Sequence, residues 1–270
     1  MIRALAEHSN TYTPLGYGQQ RLEDPRFVVF LGRSRQPWST VVQRLRLRDE
    51  EVENVVGEVR DLLHRLARPS STWEIGDSAT PADLVERLEA LGMRPDREPL
   101  AVGMVLTEPP PAGPGAIEIG RVETVDDYLA AVGIMHVAFD APEAVRAVQR
   151  ADAAAELATP GSALYLARLD GEPVAAAQAS FADAGVVLNA GATLPQARGR
   201  GAYRSLVAAR WDDAVRAGTP ALITQAGAMS RPILRRLGFR EVAEIRILLD
   251  APRRGLEEED QDQDDDDQRE

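Results

Sequence analysis

No cysteine and no lysine occur among the 270 residues. The first absence excludes disulfides, thiolate nucleophiles and cysteine metal sites. The second removes a Walker lysine and a Schiff-base lysine, because all 31 basic residues are arginine. Histidine is scarce, with His8, His64 and His136 far apart in sequence, so a histidine-based metal site is not expected. Long apolar runs are missing as well. Those present, such as AVGMVL at 101–106, fall far short of the roughly 20 residues a membrane span needs. The opening MIRALAEHSN lacks the apolar core of a signal peptide. These absences lead to the expectation of a cytoplasmic protein with no metal and no membrane partner.

What is present is a globular composition. Hydrophobic residues make up 44% of the chain, enough for real cores, and the length suits two small domains. The net charge of -12 is unevenly placed: residues 256–270 hold ten acidic residues and one arginine, which leaves -3 on residues 1–255. Such a self-repelling run is expected to be disordered, so 252–270 read as an acidic tail. A nearly balanced, slightly acidic body argues against nucleic-acid binding, which needs a basic face.

TEPPPAGPG at 107–115 cannot lie inside a helix or a central strand, and it divides the chain. The expected units are 1–107, a linker at 108–115, and 116–251. In the second unit, AIEIGRV reads as a strand, followed by a helix capped by Thr124 and another helix over about 142–158. Three strands at 162–170, 172–181 and 185–195 precede a helix from about 201 to 217, with Leu206, Val207, Trp211, Ala214 and Val215 on one apolar face. A strand, a short helix and a last strand complete a β-α-α-β-β-β-α-β-α-β order, an α/β (α+β) layout with a mostly antiparallel sheet. The first unit echoes this ending: Leu91-Gly92-Met93 and Leu237-Gly238-Phe239 occupy the same slot between helix and strand, which suggests an internal duplication. On that alignment residues 43–66 correspond to the stretch beginning at Gln196, without its glycines. Trp38, Trp73 and Met93 are expected to be core or packing residues.

The stretch LPQARGRGAYRSLV, 194–207, places Gly-x-Gly between a strand and a helix. Such a junction brings backbone N–H groups and a helix N-terminus to one point, which suits a phosphate. It is no Rossmann fingerprint, since Arg204 stands at the third glycine position. With only two Arg-Gly units and no interleaved aromatics, it is a poor RNA-binding tag. A plain strand-to-helix turn with solvated arginines is the other reading.

Gln196-Ala197-Arg198-Gly199-Arg200-Gly201 matches the Gln/Arg-x-x-Gly-x-Gly/Ala signature of the GNAT acyl-CoA N-acyltransferases, and RPILRRLGF resembles that family's later helix ending in Gly-Phe. Residues 116–250 thus resemble a GNAT domain, and the first half looks like a degenerate GNAT-like repeat that would cover the sheet and shape the acceptor cleft. The resemblance implies two such domains, each a mixed, mostly antiparallel sheet flanked by helices. It implies acetyl-CoA as co-substrate, with the amides of Arg198, Gly199, Arg200, Gly201, Ala202 and Tyr203 on its pyrophosphate. Ala192, Thr193 and Leu194 would offer backbone hydrogen bonds to the pantetheine arm. The implied reaction is direct acetyl transfer to a small-molecule amine by a monomer or homodimer; a weakened acyl-CoA-binding sensor or scaffold is the alternative. The family's usual acid, a tyrosine four residues before the Gly-Phe glycine, is Leu234 here. Ser230, read as a helix N-cap, is the nearby hydroxyl. His136 and Asp140 are the acceptor-side candidates for a base, with a packed histidine the better reading of His136.

Overall fold

The computed structural model describes residues 1–251, so the acidic tail expected at 252–270 lies outside the described residues. The first half runs α1 (Ile2–Glu7), α2 (Ser9–Tyr12), β1 (Gln20–Glu23), β2 (Val28–Leu31), β3 (Thr40–Gln43), α3 (Val52–Arg65), β4 (Ser71–Gly76), α4 (Leu84–Ala90) and β5 (Arg94–Leu106). The second half runs β6 (Ile117–Arg121), α5 (Val125–Ala138), α6 (Glu143–Ala151), α7 (Ala153–Leu157), β7 (Ser162–Leu169), β8 (Glu172–Ala182), β9 (Gly185–Thr193), α8 (Ala202–Arg216), β10 (Leu222–Ala226), α9 (Arg231–Arg236) and β11 (Arg240–Asp250).

Local chemistry accounts for many of these boundaries. The Thr124 hydroxyl accepts the Asp127 amide at 3.2 Å and starts α5. Asp170 and Gly171, at φ 53° and 82°, form the tight left-handed turn that joins β7 to β8. Val52, Val55, Val56, Val59 and Leu63 recur at helical spacing and are all buried, which fixes the inner face of α3. The helix expected over about 142–158 is two helices, α6 and α7, meeting at Asp152. No proline or glycine marks this break. Arg33, from the first half, bonds both Asp152 and Glu156 there. Val215, expected on the apolar face of α8, is half exposed, while Leu206, Val207, Trp211 and Ala214 are buried. Trp73 and Met93 are core residues, but Trp38 lies in a short turn beside β3 and is 58% exposed.

All eleven strands among the described residues join one sheet, in the order β1-β2-β3-β4-β11-β5-β10-β9-β8-β7-β6. The last strands of the two halves are exchanged. β5 lies against β10, with Gly103 opposite Gln225, and β11 lies against β4, with Ile245 opposite Gly76. β5 and β11 also pair with each other, so an approximate two-fold axis passes between them. Alternate residues of β5 then face different partners. Val102, Met104 and Leu106 enter the core under α8 and α9, while Val105 packs with Leu5 and Ala6 of α1 on the other face. Trp73 and Ile75 of β4 face α3 and α4. Ala176 and Ala192 face α5 and α7.

Candidate functional site

The two parallel strand pairs are the places where the sheet opens. β9 and β10 are paired only through Val186–Leu222 and Val187–Ile223. Beyond them, the Thr224 hydroxyl still reaches the Leu188 carbonyl at 3.2 Å before the strands part. The β8–β9 register slips between Ala176 and Gln178, and Ala190 turns to φ 45°, so a bulge swings the end of β9 away from β10. A parallel pair splayed in this way leaves backbone groups facing a cleft rather than a neighbouring strand. Within Ala192–Leu194, the Leu194 amide is already committed to the Val174 carbonyl at 2.9 Å, and the Thr193 carbonyl accepts from Arg198 Nε at 3.3 Å.

The chain leaves β9 through a 3-10 turn at Pro195–Ala197 and enters α8 over Gly199 and Gly201, at φ 77° and 88°. Both lie in the left-handed region, where a side chain is strained. A Cβ on Gly199 would meet nothing within 4 Å, whereas one on Gly201 would strike the Pro114 ring at 2.7 Å. The linker therefore packs on the loop, and Gly201 is needed for that approach as well as for its φ. The Ser205 amide takes the Gly201 carbonyl at 3.0 Å. The amides before it, from Gly199 to Arg204, have no backbone acceptor, so a row of N–H groups meets the positive end of the α8 dipole. Arg200 is exposed, and no acidic residue occupies the first turn of α8.

The first half carries the same opening in altered form. β3 and β4 pair in parallel only through Val41–Thr72 and Val42–Trp73, and three residues after Val41 the chain passes through Arg44 at φ 56°. Ala190 stands three residues after Val187 in the same way. Here the opening is bridged: the Leu47 amide bonds the Thr80 carbonyl at 3.2 Å, the Thr80 amide bonds Leu45 at 3.3 Å, and the Thr80 hydroxyl bonds Leu47 at 2.9 Å. Asp49, Glu50 and Glu51 occupy the turn leading into α3, and no left-handed glycine precedes it. An anion there would meet three carboxylates instead of open amides.

A polar cluster lies on the α1 face between the two openings. The Glu7 carboxylate accepts the Ser78 amide at 2.7 Å and the Ser78 hydroxyl, and lies 3.4 Å from His8 Nε2. The Gln225 side chain donates to the Glu7 carbonyl at 3.2 Å. Burial opposes ionisation of Glu7, but the bonds from His8 and Ser78 outweigh it and hold the carboxyl at about 2, against an ordinary 4.5. Glu74 is the opposite case: burial pushes its carboxyl up to about 7, with only Gln225 working against the rise. Among the described residues, the buried polar side-chain atoms without a partner are His8 Nδ1, Thr11 Oγ1, both amide atoms of Gln43, Glu74 Oε2 and Arg210 Nη2. All but the last belong to the first half.

The lowered Glu7 carboxyl makes stability pH-dependent. Its contribution is complete above pH 4.5, and it drains away as pH falls through about 2, for a total of about 3 kcal/mol. Glu7→Gln is expected to lower stability at pH 7 and to flatten its decline below pH 4.5, as measured by denaturant unfolding across that range.

The other sequence candidates are packed. His136 is buried in α5, with its ring on the Gln149 side chain of α6. Asp140 follows α5 at φ 48° and is exposed. Ser230 stands at the N-terminus of α9, but its hydroxyl donates to the Gly227 carbonyl at 3.4 Å rather than capping the helix. Leu234 is buried in the core beneath α9. A cavity of about 580 Å³ opens between the linker and the outer side of α8. It contains none of the splay residues, and its buried Asp213 is matched by the Tyr165 hydroxyl and Arg216.

Among solved structures, a GCN5-related N-acetyltransferase from Kribbella flavida superposes with a TM-score of 0.70 at 20% identity, covering 93% of this chain and 95% of that one. A tandem GNAT protein from the clavulanic acid biosynthesis pathway gives 0.59 at 15% identity, over 92% and 87% of the two chains. This chain has the GNAT fold. A GCN5-related N-acetyltransferase from Sphaerobacter thermophilus also gives 0.59, at 17% identity over 85% and 82%. No protein-family model matches the sequence, and no curated protein does. Coverage of nearly the whole chain by these neighbours places both halves inside one GNAT architecture. Among the described residues, no helix is long and apolar enough to cross a membrane, and no three metal-ligating side chains come together. Sequence reasoning missed Glu74 and Gln225. Each stands in a short strand that also carries a threonine, Thr72 or Thr224, and such polar residues are ordinarily read as solvent-facing positions.

Proposed function

We propose that the chain is a cytoplasmic N-acetyltransferase that moves the acetyl group of acetyl-CoA to a small-molecule amine. The observation that carries this reading is the coincidence, in the second half alone, of an open β9–β10 splay with a row of free amides at two left-handed glycines. The cradle fits a pyrophosphate: a Cβ at Gly199 would project into otherwise open space, and the amides from Gly199 to Tyr203 have no backbone acceptor. Arg198, folded back on Thr193, edges the same loop. The edge of β9 at Ala192–Thr193 would align the pantetheine arm. Acetyl-CoA supplies an activated acyl group as its thioester, so the protein needs to bind, orient and manage protons, without a covalent nucleophile of its own.

On this reading the bridged opening at 45–47 and 78–80, with Asp49, Glu50 and Glu51 beside it, leaves the first half without acyl-CoA. The chain then binds one molecule, as a monomer or homodimer. Leu234 favours a second reading, an acyl-CoA-binding sensor, because it fills with buried leucine a position where GNAT enzymes often carry a tyrosine hydroxyl. CoA release measured with a panel of primary amines decides between them. The enzyme reading expects release above the acetyl-CoA hydrolysis background with at least one amine; tight binding with silence across the panel favours the sensor.

A further inference from the structure

We infer that Glu74, a residue of the first half, takes the proton from the acceptor amine at the acyl-transfer site of the second half. The inference rests on the function proposed above. Glu74 and Gln225 hold equivalent places: Val41 pairs with Thr72 as Val187 pairs with Ile223, and each polar residue lies two positions beyond that pair. Two strands, β11 and β5, lie between β4 and β10, and the Gln225 side chain is the hydrogen-bonding group that reaches the Glu74 carboxyl over them. Gln225 belongs to β10, one lip of the open splay, and Glu74 is the acid that faces it.

The surroundings leave that acid available. Glu74 Oε2 is shielded from solvent and has no partner, an arrangement that costs on the order of 1–3 kcal/mol and that folded proteins seldom keep without a use. Of the groups packed over this face, Glu7 is held by Ser78 and His8, His8 Nε2 is shared between Glu7 and the Ser78 hydroxyl, and Gln225 is neutral. The neighbouring Ile245 and Ile247 on β11 are apolar. Burial also pushes the Glu74 carboxyl up to about 7, where it exchanges a proton readily near neutral pH.

The protons balance as follows. The amine arrives as its ammonium and gives one proton to the Glu74 carboxylate. Its freed lone pair forms the C–N bond as the C–S bond breaks, the second proton leaves with the thiolate as CoA thiol, and Glu74 returns the first to solvent.

The test uses the full chain and three measurements on wild type, Glu74→Gln and Glu74→Asp. Calorimetry with acetyl-CoA comes first; no heat with the wild type removes the acyl-transfer reading itself, whatever Glu74 does. With binding established, Glu74→Gln is expected to keep acetyl-CoA affinity within about twofold and to lose about 100-fold or more in kcat. Its rate should no longer rise with pH through 7, and Glu74→Asp should recover part of the rate. Carbon NMR of 13C-glutamate-labelled protein, with Glu74 assigned through the Gln variant, gives a readout independent of turnover. The Glu74 carboxyl signal is expected to titrate near 7 and to move when acetyl-CoA is added. A Gln variant that retains rate and pH profile overturns the inference, and so does a Glu74 signal indifferent to acetyl-CoA.

Discussion

Replacing Gly199 by glutamate is expected to lower acetyl-CoA affinity by about 1000-fold while the protein still unfolds cooperatively. The backbone at φ 77° tolerates a side chain at a cost of roughly 1–2 kcal/mol, and no atom lies within 4 Å of where its Cβ would sit, so the fold survives. The added carboxylate stands beside the amides that the pyrophosphate would use. Two like charges about 4 Å apart near a protein surface repel by about 4 kcal/mol, which is close to three decades in affinity. Gly199→Ala separates the two effects, since it carries the backbone strain without the charge and should weaken binding only modestly. Gly201 is the poorer choice for this test, because its substitution also displaces Pro114. Calorimetry and thermal unfolding of the three proteins check the prediction; near-normal binding by Gly199→Glu would place the ligand elsewhere.

Residues 116–251 expressed alone are expected not to form a cooperative monomer, even though they contain every element of the anion cradle. β11 has both of its sheet neighbours, β4 and β5, in the first half, and β10 would lose β5 from its edge. Val102, Met104, Val105 and Leu106 of β5 are all buried. At about 1.5–3 kcal/mol for each buried side chain, their removal alone costs about 6–12 kcal/mol, comparable with the whole stability of a domain. Sedimentation and thermal unfolding of the fragment would show aggregation, self-association through the open edge, or a broad transition. A sharp transition in a monomeric fragment would mean that β11 can take the place of β5 beside β10, and that the exchanged strand is dispensable.

That exchange is the part of the fold the sequence could not reveal. The run AVGMVL at 101–106 signals a strand buried on both faces, and REVAEIRILLD signals a last strand with charged residues among its apolar ones, but neither pattern says which half supplies its neighbours. The loop at 196–201 was legible because its chemistry is local: two glycines, a strand before them and a helix after. The repeat was visible in Leu91-Gly92-Met93 and Leu237-Gly238-Phe239, and the left-handed residues Arg44 and Ala190 extend the correspondence to the points where the two parallel pairs part, which no residue type marked. Glu74 was hidden by its own strand. In TWEIG, the alternation of Trp73 and Ile75 with Thr72 and Glu74 reads as one buried and one wet face, whereas Thr72 is buried and Glu74 Oε2 is shielded from solvent as well. The break between α6 and α7 was hidden for a related reason, since Arg33, which grips Asp152 and Glu156, lies more than a hundred residues away.

The central claim is a single acyl-CoA site, formed by the second half's splay and glycine loop and absent from the bridged first half. Titration of the intact protein with acetyl-CoA in a calorimeter tests it most directly. One molecule bound per chain, lost in Gly199→Glu, is the predicted result. No binding, or two molecules per chain with one surviving that substitution, would contradict it.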